Sequence, residues 1–433
     1  MLRDPQDSRY TISFSLGAGE DKEALEFFKI YGFAIFREVF SSEECEESVD
    51  AMWRHAEKTQ PGLCREDPAT WKKYQSSGKY GLGSRGPTFD PALVKNRQNE
   101  KLAEALALVL EIPVHDVMVG HDRFTIYRAT ELSDESYSAE GEVGETTGEA
   151  GKVGKSFLTG RKNVHLDLNP WWWLEASTDI LVGADTIQYK DSQDFIKENN
   201  LVVRSMGPHV QCVLNFSDNL EEDGGTIVVP GFHNHLETWC QANAALRKPV
   251  PFVTFSEKAA AERMCEEALL QRSCRVPMRP GSVLIWSQTL AHGTQPNASR
   301  RNRTAQFLKA FSRSAVFLSE ELVEASKTPN VEEEEGGGEG GEEDITTVLH
   351  QVGKGKGKGK GKGKGKGEGK GEGKGKQRPV PCDSWAWDGR GRLRRRSLAL
   401  RELLRESGAL EEVSPLGCFL FGLDAIPLDE TSE

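Results

Sequence analysis

The chain has 433 residues and a formal net charge of -12 at pH 7, an acidic balance that speaks against a general nucleic-acid binder. No apolar run approaches a membrane span and Met1 to Tyr10 is too polar for a signal-peptide core, so a soluble, cytoplasmic protein is expected. The eight cysteines show no Cys-x-x-Cys spacing or dense framework, which points to reduced thiols and to neither a structural zinc site nor a disulfide scaffold.

Asp21 to Phe28 reads as a short helix leading into an apolar strand, Phe33 to Phe36. Ser41-x-x-Glu44 is a capping-box signature for a helix running toward Glu57, and Val49, Met52, Trp53 and Ala56 recur on it at core spacing. Pro61 to Pro91 is rich in turn formers and should run over the fold, with Trp71 and Tyr74 on a short helix. Asn99 to Leu110 carries an apolar helical face of Leu102, Ala105, Leu106 and Val109. Val117 to Arg128 should enter a sheet, with Thr125 and Tyr127 on one side and Ile126 and Arg128 on the other, while His115 and His121 read as surface or hydrogen-bonded histidines. Ser133 to Gly154 is acidic, rich in Gly and Ser and nearly free of apolar residues, so a disordered insertion is expected, with a substrate-gating lid as the alternative.

In Asn163-Val164-His165-Leu166-Asp167, a strand would present His165 and Asp167 to one side and pack Leu166 on the other. Trp171-Trp172-Trp173 follows, as apolar cover with one ring placed to line a pocket. Ser177 to Glu198 reads as a solvated excursion. His209 to Phe216 alternates as a strand on which Gln211 or Asn215 would face a ligand. His233-Asn234-His235 falls just after the Pro230-Gly231 bend, and Glu257 to Leu270 has helical patterning. Arg279-Pro280-Gly281 then opens a strand, loop, strand, turn, strand series. His292 and Thr294 share one face of its middle strand, Arg303, Ala305 and Phe307 one face of its last, and Arg300 and Arg301 read as turn charges.

Thr328 to Gln377 is low in complexity: an acidic block, Glu332 to Asp344, precedes alternating Gly-Lys from Gly353 to Lys376. Without side chains for a core it reads as a flexible insert, and its other reading is a weak, salt-sensitive contact with polyanions. Arg392 to Arg405 forms a basic amphipathic helix with Leu393, Leu400, Leu403 and Leu404, and Ser414-Pro415 caps a further one.

Two imidazoles and one carboxylate on a common face leave about three of roughly six positions open on a non-haem Fe(II). His-x-Asp at 165 and 167, distal His292 and downstream Arg303 resemble the phytanoyl-CoA dioxygenase family of Fe(II)- and 2-oxoglutarate-dependent oxygenases. The likeness extends to Tyr31-Gly32-Phe33-Ala34-Ile35-Phe36 with Ser41-Ser42-Glu43-Glu44, to Asp223 through His233, and to Ser414 through Asp424. Arg303 follows His292 by 11 positions, the family's distance from distal histidine to cosubstrate arginine.

The resemblance implies a mainly β fold with flanking helices around a double-stranded β-helix, the jelly-roll or cupin-like core. It divides the chain into an oxygenase domain over 20–327 with the insertion at 133–154, a low-complexity insert over 328–379, and a segment over 380–427 that packs back on the domain. His165, Asp167 and His292 would hold Fe(II), 2-oxoglutarate would chelate it, and Arg303 and Thr294 would bind the far carboxylate. With O₂, and ascorbate in support, an aliphatic C–H bond of a small molecule would be hydroxylated with release of succinate and CO₂. Related halogenating enzymes lack the carboxylate ligand, so Asp167 argues against that branch. Two rivals stand beside this reading: a non-enzymatic jelly-roll binding protein working through its charged tracts, and a cupin-type metalloenzyme using His233 and His235 with His292.

Overall fold

The computed structural model describes residues 2–74, 83, 88–129, 162–175, 210–248, 253–255, 259–312 and 400–423. The segments read as insertions at 133–154 and 328–379, and the excursion at 177–198, lie outside these residues.

A helix, α1 (Asp21–Tyr31), ends at Gly32, whose φ of 82° is open to glycine at little cost and whose N–H closes the last turn on the Phe28 carbonyl. That turn delivers the chain into strand β1 (Phe33–Phe36). Helix α2 (Ser42–Thr59) starts at the capping box read from the sequence: Ser41 accepts from the Glu44 N–H, and the Glu44 carboxylate accepts from the Ser41 N–H.

Strands β2 (Val117–Val119), β3 (Phe124–Tyr127), β4 (Asn163–Leu166), β5 (Val210–Asn215), β6 (Gly225–Val228), β7 (Val253–Thr254), β8 (Cys274–Arg275), β9 (Ser282–Ser287), β10 (His292–Gln295) and β11 (Arg303–Ser312) follow. Two antiparallel sheets result. The first has the order β1-β9-β5-β11-β2, with β3 also on β11; the second has the order β7-β4-β10-β6-β8. From β3 to β11 the chain passes back and forth between the sheets, staying in one only for the β6-to-β8 connection, and this is the connectivity of a double-stranded β-helix. The sheets do not close into a barrel.

Val213, Val228, Leu284, Trp286 and Ala305 lie on the strand faces that the two sheets turn toward each other, whereas Val164, Leu166 and Ile227 alternate to the other face of the second sheet. The other face of the first sheet is covered by helices, so Leu214, Ile285, Leu308 and Ala310 pack with Met52, Trp53, Leu102 and Leu106. Strands covered on both faces read as near-continuous apolar runs, as Val283 to Trp286 does. A C-terminal helix, α3 (Pro415–Phe421), rests on β2 through Leu420 and Phe421, and helical residues 400–406 bury Leu400 and Leu404.

Val117 to Arg128 enters the first sheet as expected, in two strands, because Gly120 N–H donates to the Lys309 carbonyl and Phe307 N–H to the Arg123 carbonyl, with His121 and Asp122 looping out between. One expectation needs correction. Asp167 lies one residue past β4, on a bend, rather than on the strand with His165.

Candidate functional site

Antiparallel pairing of β4 with β10 sets His165 directly opposite His292, their rings 4.6 Å apart. The bend after β4 folds the Asp167 carboxylate back toward both: Oδ1 lies 3.3 Å from His165 Nε2 and Oδ2 lies 3.7 Å from His292 Nε2. Among the described residues this is the one group of three metal-ligating side chains whose ligand atoms all lie within 4.8 Å of one another.

The protonation pattern suits a cation. His292 Nδ1 lies 2.8 Å from the Leu290 carbonyl, so Nδ1 keeps its proton as donor and Nε2 presents a lone pair toward Asp167. Burial pushes the His292 imidazole below its usual value, against the opposing pull of Asp167. Burial works against ionisation of Asp167, but the two imidazoles and Lys309 outweigh it and hold the carboxyl well below the usual carboxylate range. Despite its closeness to His165, Asp167 Oδ1 is buried without a properly directed hydrogen bond. Two imidazole nitrogens and a carboxylate oxygen that converge without bonding one another are the donor set that fits a divalent first-row cation. Behind them, Gln288 donates to the Asp167 carbonyl at 3.1 Å and is itself held by Gln211 Nε2 at 3.1 Å, which fixes the bend.

A second feature lies between the sheets at the start of β11. Arg303 is 1% exposed, with its guanidinium carbon 5.1 Å from the centre of the Tyr127 ring. Its Nε and Nη2 have no hydrogen-bond partner. Burial pulls the guanidinium below its ordinary pKa, with Tyr127 and Asp223 opposing. A buried, unpaired guanidinium is costly, and a carboxylate is the group whose geometry matches its fork. Gly225 makes room for it: a Cβ there would sit 2.7 Å from Arg303 Cζ. Thr294 stands two residues from His292 on the same face of β10, 3.4 Å from Asn163 Nδ2.

The register settles which pair of β3 faces inward. Tyr127 is opposite Arg303 and Thr125 opposite Ala305, whereas Ile126 joins the helix-covered core and Arg128 lies over Tyr74 and donates to the Trp71 carbonyl. Asn215 spends its amide on the carbonyls of Ser217 and Arg279, so it acts as a brace for the turn. Trp171 is core, with Nε1 donating to the Cys240 carbonyl and its ring against Trp239. His233 and His235 do not join His292: they sit on a single 3₁₀ turn after Gly231, and His233 Nε2 faces the Lys29 carbonyl at 3.2 Å.

Lys309 escaped the sequence reading. The alternation Arg303, Ala305, Phe307 continues to it, and a lysine on the inward face of an apolar strand was the available signal. It is 8% exposed, and its Nζ lies 4.0 Å from Asp167 Oδ2.

The model of the phytanoyl-CoA dioxygenase family matches residues 182–305. A Dictyostelium discoideum protein provisionally named a phytanoyl-CoA dioxygenase is 30% identical over 299 residues, spanning 67% of this chain and 75% of that one. Among solved structures, the epimerase SnoN in complex with Fe3+, alpha ketoglutarate and nogalamycin RO is 10% identical, with 67% of this chain and 83% of that one covered at a TM-score of 0.37. EctD from S. alaskensis, solved with 2-oxoglutarate and 5-hydroxyectoine, is 14% identical, with 73% and 84% covered at a TM-score of 0.36.

Proposed function

From the premise that this chain belongs to the phytanoyl-CoA dioxygenase family, and so to the Fe(II)- and 2-oxoglutarate-dependent oxygenases, we propose that it hydroxylates an aliphatic C–H bond of a small molecule. In this reading His165, Asp167 and His292 hold the iron, and Arg303 with Thr294 takes the far carboxylate of 2-oxoglutarate. The observation that carries it is the approach of three ligand atoms to within 4.8 Å of one another. The unpaired Nε and Nη2 of buried Arg303 support the cosubstrate half.

When bound, iron with 2-oxoglutarate and O₂ supplies the oxidation, with succinate and CO₂ as coproducts, and ascorbate maintains the ferrous state. The chain's own part is orientation and charge. The Leu290 carbonyl holds His292 in the tautomer that offers Nε2. Asp167 stays ionised beside two imidazoles and Lys309, so it presents a full negative charge to the metal. Arg303, packed between Tyr127 and Gly225, is fixed before any ligand arrives, so little ordering entropy is lost on binding.

The same reading takes 20–327 and 380–427 as one catalytic domain, supported by the seat of Pro415–Phe421 on β2. A reducing, cytoplasmic setting is supported by Cys45, Cys64, Cys212, Cys240, Cys265 and Cys274, none of which forms a disulfide. The Gly-Lys tract, by its charge alone, would add a weak contact with polyanions.

Anaerobic addition of Fe(II) and 2-oxoglutarate to the full chain should produce a weak visible charge-transfer band, and Asp167→Ala should abolish it through a metal-affinity loss of roughly 100-fold or more. A band that survives Asp167→Ala but is lost in His233→Ala would transfer the metal to the cupin-type alternative. No band, together with tight polyanion binding, would favour the non-enzymatic scaffold.

A further inference from the structure

Sheet pairing fixes two of the three metal ligands, because His165 and His292 face each other across the ladder of β4 and β10. Asp167 is outside that ladder, since β4 ends at Leu166. A carboxylate on a bend needs a further restraint if it is to meet both imidazoles, and the turn between β9 and β10 supplies it. Gln288 Nε2 donates to the Asp167 carbonyl at 3.1 Å, and the carbonyl of Leu290, two residues on, lies 2.8 Å from His292 Nδ1. The turn is closed by Leu290 N–H on the Ser287 carbonyl and by Ser287 Oγ against Thr289 Oγ1, each at 2.9 Å. One short stretch thus holds the acid by its backbone and the distal imidazole by its ring.

Chemistry dictates the direction of the first contact. A carbonyl only accepts, so the Gln288 amide must turn its NH₂ toward Asp167 and its oxygen away. That oxygen meets Gln211 Nε2 at 3.1 Å, and Gln211 stands on the inward face of β5, beside Trp286 of β9. The bonds therefore run from Gln211 to Gln288 to Asp167 and join the first sheet to the end of β4. Both glutamines are nearly inaccessible, Gln211 at 5% and Gln288 at 1%. Burial of a primary amide is unfavourable without hydrogen bonds, and the next inward positions along the same strands are the apolar Val213 and Leu284. An apolar side chain would pack at 211 with less cost, so the bond it donates accounts for the amide there.

We propose that Gln288, anchored by Gln211, is the positioning residue that sets the Asp167 carboxylate against the two imidazoles before a metal arrives, and so raises the affinity of the site for a divalent first-row cation. This rests on the assignment of His165, Asp167 and His292 as ligands made above and adds the residues that pre-organise them. Neither glutamine ligates the metal; both act through the backbone of Asp167.

The test uses the full chain, freed of metal and titrated with Co(II), whose visible ligand-field bands report coordination geometry without turnover. Gln288→Met keeps the length of the side chain and removes the donor; it should weaken Co(II) binding roughly tenfold or more and shift the bands. Gln211→Met should weaken binding by about three- to tenfold. Because Gln211 acts through Gln288, the double variant should bind Co(II) within about twofold of Gln288→Met alone. Val213→Ala opens a cavity in the adjacent row of the same strand, and it should lower the melting temperature yet keep Co(II) affinity within about threefold and the bands in place.

Gln288→Met with wild-type affinity and unchanged bands overturns the proposal. So does a double variant whose loss is the product of the two single losses, which would make the glutamines independent, or a Val213→Ala that loses Co(II) to the same extent, which would reduce the effect to a general loosening of the sheet. Should Gln288→Met fail to fold, Gln211→Met against Val213→Ala decides: a loss confined to Gln211→Met supports the relay, and an equal loss overturns it. A wild-type chain that takes up no Co(II) overturns the underlying ligand assignment, and that result is visible before any variant is made.

Discussion

Two arginines flank the Gly224-Gly225 corner, and both are nearly inaccessible, Arg275 at 5% and Arg303 at 1%. Arg275 is bonded at both terminal nitrogens, and only its Nε lacks a partner. Nη1 donates to the carbonyls of Thr226 and Val276, and Nη2 to Asn219 Oδ1 and to the carbonyls of Leu220 and Gly224. Burial and the neighbouring Arg303 cation pull its pKa down to about 9, still charged at neutral pH. Arg303 has Nε and Nη2 without partners and an aromatic ring beside it. Burial is therefore no guide to role here. The guanidinium bonded through both terminal nitrogens ties β8 to the corner, and the one with Nη2 open is held ready for an anion.

The contrast breaks most clearly by truncation. Arg303→Ala should weaken 2-oxoglutarate binding by two to three orders of magnitude, about 3–4 kcal/mol, while thermal stability stays level or rises because a buried unpaired charge has been removed. Calorimetric titration and a melting curve on one sample check both halves. Arg275→Ala should do the reverse, lowering unfolding stability by about 3–5 kcal/mol in denaturant titration, because the carbonyls around the corner lose their donor. If both variants lose binding and stability together, the distinction fails.

A finer probe is the corner itself. Gly225 has a φ of 97° and no room for a Cβ against the Arg303 guanidinium. Gly225→Ala should cost about 1–2 kcal/mol of stability and weaken 2-oxoglutarate roughly tenfold by displacing the guanidinium. Binding unchanged in that variant would show that the guanidinium has freedom to move aside.

The smallest effect concerns pH at the metal end. Folding holds His292 below its ordinary value of 6.5, so the unfolded chain takes up this proton first. Its contribution to stability is complete above 6.5 and is lost as pH falls through the lowered folded-state value. Asp167 adds to the same trend at lower pH, where its contribution, present above 3.8, is lost as the acid protonates. In metal-free protein, His292→Gln should flatten the decline in unfolding stability below pH 6.5, measured by denaturant titration across pH. An unchanged slope would place the acid sensitivity elsewhere.

Much of this frame was legible because its signals are local. Ser41 and Glu44 cap α2 as their spacing predicts, since a capping box needs only one turn of backbone. Gly281 follows Pro280 at φ 72° and opens β9. The alternation of Arg303, Ala305 and Phe307 assigns the inward face of β11, because side chains on a strand alternate whatever the fold. Other features were closed to such reading. Whether Thr125 or Ile126 faces the site depends on a register between β3 and β11, which are separated by more than 170 positions. The break between β2 and β3 depends on backbone bonds from β11.

What the sequence determined by itself, then, was the repertoire: which residues were able to act as ligands, cation or cap, and which face of each strand they shared, because these follow from residue chemistry and backbone period. Only tertiary structure decided which of them have partners. Arg275 and Arg303 are the same side chain in the linear text, and they differ because five acceptors from the Asn219–Val276 region surround one while a glycine and a ring surround the other. Hydrogen-bond saturation depends on long-range approach of backbone and side chains, and no local pattern encodes it.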